Sequence, residues 1–150
     1  MEAIYKILLV EDEVKLSKVI QEELIAEGFD VDIALDGLIA EEKFLNNTYT
    51  LIILDISIPK KNGFELCKTF RETNSKIPII MLTALGEIQD KIQAFNLGAD
   101  DFIVKPFHFR ELIARIKVFL KRTDVEQNEK IIGFFVAITC CIALWSSSVK

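Results

Sequence analysis

Three apolar runs in this chain end on charge. Leu51-Ile52-Ile53-Leu54 runs into Asp55, Ile7-Leu8-Leu9-Val10 into Glu11-Asp12-Glu13, and Phe102-Ile103-Val104 into Lys105-Pro106. If the runs are strands of an open α/β sheet, these groups lie at strand carboxyl ends, where such sheets bind ligands. Carboxylates crowded into a dry crevice cannot all stay ionised without a cation. A hard divalent ion such as Mg²⁺, which takes oxygen ligands, fits that need. In outline this is a site for phosphoryl transfer.

Taken singly, each residue has an ordinary reading. Glu11-Asp12-Glu13 could be an acidic first helical turn favoured by the helix dipole. Asp55 could cap a turn, Lys105 could be a solvated surface lysine, and Phe102 could be a core aromatic. His108, the only histidine, reads as a capping or surface group before a helix. Their joint spacing argues for chemistry.

Those residues need elements to position them, and strand-like and helix-like segments alternate five times, as in parallel βα units. The predicted strands are Lys6–Val10, Asp30–Ala34, Leu51–Asp55, Pro78–Leu82 and Asp101–Val104. The first, third and fourth are continuous apolar runs, as expected when helices cover both faces of a sheet. Helical spacing links Leu16, Val19, Ile20 and Leu24 in the first helix and Gly63, Leu66, Cys67 and Phe70 in the third. It also links Phe109, Leu112, Ile113, Ile116 and Leu120 in the fifth. The second helix should start at Asp36 as N-cap, and the fourth should run from about Gly86 to Leu97 with Gly98 as its stop.

Composition narrows the class. At 150 residues with a formal net charge of 18 − 23 = −5, the chain suits one domain and lacks the basic surface that nucleic acid requires. Cys67, Cys140 and Cys141 form an odd set without metal-ligand spacing, and the N-terminus has no signal-peptide pattern, so a cytoplasmic setting is expected. No GxxxxGK[ST] or GxGxxG nucleotide loop occurs.

The segments LLVEDE, LIILDISIPKKNGFE, IIMLTA and GADDFIVKPF stand in the order and spacing of a known family. Over about residues 4–122 the chain resembles the receiver domain of bacterial two-component response regulators, most closely the OmpR/PhoB class. The resemblance implies a doubly wound, flavodoxin-like (CheY-like) sheet of five parallel strands in the order 2-1-3-4-5. It implies that Asp55 is the phosphoacceptor, attacking a phosphohistidine on a partner sensor histidine kinase. Mg²⁺ would be held by Asp12, Asp55 and the backbone carbonyl of Ser57, with Glu11 acting mainly through a metal-bound water. Thr83 and Lys105 would contact phosphoryl oxygens, and Lys105-Pro106 would be a cis peptide. Thr83 and Phe102 would form the switch, the aromatic turning inward as the threonine moves toward the phosphoryl group. Such a protein phosphorylates itself and loses the group slowly, and is not an enzyme in the turnover sense.

The OmpR/PhoB resemblance further implies a two-fold homodimer on phosphorylation, through helix four, strand five and helix five. The pairs would be Lys91 with Glu111, Asp101 with Arg115, and Asp100 with Arg122, around an apolar patch of Ile92, Phe95 and Ala114. Alternative classes fit less well. An aspartate-nucleophile phosphatase of the haloacid-dehalogenase type needs a second Asp where Ser57 stands, and a flavodoxin-like cofactor binder needs a phosphate loop where Glu11-Asp12-Glu13 stands.

The expected organisation is a receiver at 1–122, a charged linker at 123–130 and an apolar tail at 131–150. The tail carries no basic recognition helix, so no direct nucleic-acid binding by this chain is expected. Any membrane contact would come through residues 131–149, making a stand-alone or membrane-tethered receiver the alternative to a transcriptional regulator's receiver.

Overall fold

The computed structural model describes residues 4–147, with side chains through Ala143. Five strands alternate with five helices: β1 Lys6–Val10, α1 Val14–Ala26, β2 Asp30–Ala34, α2 Gly37–Asn46, β3 Leu51–Leu54, α3 Gly63–Thr73, β4 Ile79–Thr83, α4 Ile88–Asn96, β5 Asp101–Val104 and α5 Phe109–Ser147. All pairings are parallel and the strand order is β2-β1-β3-β4-β5. Direction therefore switches between β1 and β3, and a crevice opens there at the carboxyl edge. The register brings that edge level: Val10 lies opposite Leu54, Leu54 opposite Met81, and Thr83 opposite Val104.

The apolar runs of β1, β3 and β4 are buried because helices pack on both faces of the sheet. Gly63, Leu66, Cys67 and Phe70 all face inward from α3. On α1 the buried residues are Ser17, Ile20 and Leu24, whereas Val19 is 45% exposed. The apolar spacing thus overstated that helix's inward face. Asp36 caps α2 by accepting the Ile39 amide at 2.9 Å. Gly98 has φ +103, the left-handed stop that glycine allows at little cost. Small boundary shifts follow from hydrogen bonding: β3 ends at Leu54, β4 runs to Thr83, and α4 begins only after Glu87.

The expected linker at 123–130 is not a break. α5 continues through it, since no glycine or proline stands between Phe109 and Ile132 and the intervening charged residues are good helix formers. The chain divides into two units, residues 1–116 and 117–150. In the second, the segment from Glu126 to Ala143 is exposed along its length. Among the described residues, no helix is long and apolar enough to cross a membrane.

Gly63 fixes how closely α3 approaches the strand end. A Cβ there would collide with the Asp55 carbonyl oxygen and lie 2.6 Å from Ile56 Cα. Both obstacles are backbone, so nothing nearby can rotate away. Gly63→Ala should lower stability by about 1–3 kcal/mol, the usual range for overpacking. An unchanged urea midpoint would show that α3 can slide.

Candidate functional site

The carboxyl edge of the sheet collects six of the expected residues, Glu11, Asp12, Asp55, Ser57, Thr83 and Lys105. Glu11 follows β1 and is 2% exposed, Asp55 follows β3 and is 5% exposed, and Asp12 is exposed. Glu11 and Asp12 precede α1, which starts at Val14, so they are not an acidic first turn. Lys105 follows β5 and reaches across to both buried acids, with Nζ 2.5 Å from Glu11 Oε2 and 2.8 Å from Asp55 Oδ2. The remaining oxygens are also held: Glu13 N donates to Glu11 Oε1 at 3.1 Å, and Ser57 N donates to Asp55 Oδ1 at 3.0 Å. Backbone bonds lock the frame, from Glu11 N to Ala34 O, Asp55 N to Val10 O and Lys105 N to Thr83 O. The Lys105-Pro106 peptide is cis.

The electrostatics favour a further cation. Burial pushes the Glu11 carboxyl above its ordinary range, and the hydrogen bond from Lys105 only partly offsets this. Burial works against the Lys105 charge as well, but hydrogen bonds to Asp55 and then Glu11 outweigh it, and its pKa rises. Glu11, Asp12 and Asp55 each present a carboxylate oxygen within 4.8 Å of the others. Against three carboxylates the cluster holds one ammonium. The deficit of two charges, with oxygen the only donor, matches a divalent hard cation.

Thr83 is fully buried at the end of β4, its Oγ1 accepting the Leu85 amide at 3.3 Å. Phe102 is 8% exposed and packs in the core cluster with Met81 and Ala94, its ring 5.9 Å from Lys91 Nζ. Without a hydroxyl it has no polar tip to keep in water. Ile92 and Phe95 are about half exposed on α4, in line with Ile88 at 69%, and Ala114 is exposed on α5.

The charged residues expected at a dimer face already have partners within the chain. Arg115 pairs with Asp101 at 2.6 Å and with Glu111 at 2.8 Å. Asp100 Oδ2 receives Arg71 Nη2 and Ile79 N, both at 2.8 Å. Arg122, in the second unit, stacks over Phe119 with its guanidinium carbon 5.5 Å from the ring centre.

Sequence reasoning missed Arg71. Besides Asp100, its guanidinium donates to the carbonyls of Ser75, Ile77 and Gly98, tying the end of α3 to the loops before β4 and β5. Only convergent carbonyls reveal that role, and carbonyls leave no mark in a sequence. Also missed was an apolar depression beside Lys105, lined by Leu16, Pro106, Phe107 and Phe109 from α1 and the loop into α5.

Comparison with known proteins agrees with this geometry. Residues 7–117 match the family model described as the response regulator receiver domain. Response regulator ArlR of Staphylococcus saprophyticus is 50% identical over 131 residues, covering 87% of this chain and 59% of that protein. DrrB of Thermotoga maritima, an OmpR/PhoB homologue, superposes with a TM-score of 0.71 at 33% identity, over 81% of this chain and 54% of that one. TrrA from the same organism, solved with Mg²⁺ and a beryllofluoride group, gives 0.72 at 34%, over 77% of this chain and 99% of that one. The chain spans little more than half the length of the curated relatives it matches, for example 59% of ArlR and 52% of Escherichia coli CusR.

Proposed function

We propose, since the chain belongs to the response regulator receiver domain family and is most like its OmpR/PhoB class, that Asp55 accepts a phosphoryl group from a phosphohistidine of a sensor histidine kinase. The observation that carries this reading is the bridge of Lys105 Nζ between the buried carboxylates of Asp55 and Glu11, with Asp12 beside them. An Asp55 carboxylate oxygen forms the new O–P bond while the N–P bond of the phosphohistidine breaks, its electron pair remaining on the imidazole nitrogen.

Two anions must meet for this to occur, so the surrounding charge decides the rate. Mg²⁺ held by Glu11, Asp12, Asp55 and the Ser57 carbonyl would neutralise charge shared by nucleophile and phosphoryl group. Lys105 offers its ammonium to a phosphoryl oxygen, at the expense of its contact with Asp55. The apolar depression at Leu16, Pro106, Phe107 and Phe109 offers a partner protein a surface beside the nucleophile. Incubation with acetyl phosphate should add a single phosphoryl group, dependent on a divalent cation. Labelling that survives chelation would count against the reading.

The added charge becomes an output through Thr83. Its hydroxyl, which accepts the Leu85 amide, reaches a phosphoryl oxygen by moving toward Asp55 and drawing the loop Ala84-Leu85-Gly86 with it. Gly86 abuts Val104, where a Cβ would come within 3.0 Å of Cγ1, so loop and β5 move against each other. Phe102 and Lys91 lie along that path.

The output is a two-fold dimer through α4, β5 and α5. Exposed Ile88, Ile92 and Phe95 supply its apolar patch, and Arg115, Asp101 and Glu111 exchange their pairings within the chain for pairings across the axis. Each such pair then occurs twice. Beryllofluoride should convert monomer to dimer in sedimentation equilibrium. Arg115→Glu should weaken the dimer by about tenfold, since exposed pairs contribute roughly 0.2–1 kcal/mol each. Adding Asp101→Arg should restore part of the loss, and a monomer at every loading concentration would rule this output out.

A further inference from the structure

We propose that the end of α5, from Ile131 to Ala143, is a membrane-binding segment that buries itself in lipid hydrocarbon. Six charged residues lie between Lys121 and Lys130, and none between Ile131 and Val149. Across that boundary the helix turns apolar on all sides. Phe134 is 68% exposed, while Ile132 and Val136 are 62% and 59% exposed. At 100° per residue, Ile132 and Val136 both point about 160° away from Phe134.

That distribution discriminates between occupants. A second copy of the helix would cover one seam, such as Phe134, Ala137, Ile138, Cys141 and Ile142, and leave Ile132 and Val136 in water. A medium that surrounds the helix covers all of them, and an all-round apolar helix belongs in a protein core or in a membrane. Among the described residues no such core covers this segment, since every one from Glu126 to Ala143 is exposed.

The polar groups agree. Thr139 carries the only hydroxyl between Ile131 and Ala143, and it donates to the Phe135 carbonyl within the helix at 2.8 Å. Backbone groups inside a helix are likewise satisfied internally, which is what hydrocarbon demands. The apolar run from Ile131 to Trp145 lies within α5 and rises about 22 Å at 1.5 Å per residue, short of the ~30 Å hydrocarbon thickness, and among the described residues no helix is long and apolar enough to cross a membrane. The proposal is therefore for burial in hydrocarbon and not for a crossing. It needs no anionic headgroup, because its driving force is apolar area.

The test uses the full chain, cleared by centrifugation and mixed with zwitterionic phosphatidylcholine vesicles. On a density gradient most of the protein should float with the lipid and remain there through a high-salt wash. Ile138→Glu and Phe134→Glu each place a charge in the apolar segment and should reduce the floated fraction at least roughly tenfold. Both variants should still take up one phosphoryl group from acetyl phosphate, which reports a folded receiver independently of the tail. Wild-type protein that stays at the bottom of the gradient overturns the proposal. So does equal flotation of the variants, or a discrete dimer that ignores the vesicles and is abolished by the same substitutions. Failure of the wild type to be phosphorylated would instead strike the receiver function, leaving the flotation result to stand alone.

Discussion

Asp55→Asn should lose phosphoryl uptake from acetyl phosphate to below about one hundredth of the wild-type level, because the amide that replaces the carboxylate is not a competent nucleophile at neutral pH. The fold should survive the change. Asn keeps the shape, and its single carbonyl oxygen can accept either the Ser57 amide or Lys105, which bond to different oxygens of Asp55, while Lys105 keeps its bond to Glu11. Removing one of three clustered negative charges also relieves repulsion, so the variant should be no less stable than wild type in urea. Intact-mass spectrometry distinguishes the outcomes directly. Undiminished labelling would place the phosphoacceptor elsewhere, and partial labelling at Asp12 would show that the site tolerates a displaced nucleophile.

Lys105→Ala should move two measurements in opposite directions. The ammonium lies 2.5 Å from Glu11 Oε2 and 2.8 Å from Asp55 Oδ2, so it pairs with two of the three acids that would hold the cation. The substitution takes away the ammonium that pairs with Glu11 and Asp55, and Mg²⁺ affinity by calorimetric titration should rise about tenfold, corresponding to roughly 1.4 kcal/mol. Phosphorylation should slow about a hundredfold at saturating Mg²⁺, the usual cost of removing one preorganised donor from a developing anion. Without metal the variant should be destabilised, since breaking a buried ion pair strands the charges left behind. A fall in Mg²⁺ affinity would mean that Lys105 organises the acids for the metal more than it competes with it.

Several features of this protein are local, and local features are legible in a sequence. Strand runs ending in charge, the Asp36 cap, the Gly98 stop and the 3.6-residue spacing of Leu66, Cys67 and Phe70 on α3 all depend on neighbours within a few residues. Four separated motifs at the right spacing identified the receiver family and its strand order. They also located the carboxylate cluster, because parallel strands carry their carboxyl ends to one edge whatever the loops do.

Other features depend on groups far apart in the chain. Lys105 and Glu11 are 94 residues apart and Lys105 and Asp55 are 50 apart, so a sequence can place them on one edge but cannot say that a single ammonium bridges both acids. Arg71 meets four carbonyl or carboxylate partners whose convergence is created by packing α3 against two loops. Val19 lies at a helically apolar position yet faces solvent, because the width of the covered stripe is set by what packs on α1. The path of α5 through residues 123–130 turned on the absence of any stop signal, a weaker cue than charge. Sequence determined which groups reach the carboxyl edge, since strand direction and periodicity are short-range properties. Tertiary structure alone decided which of them touch, how deeply each is buried and hence how its charge is held, since desolvation and pairing depend on the whole surrounding fold.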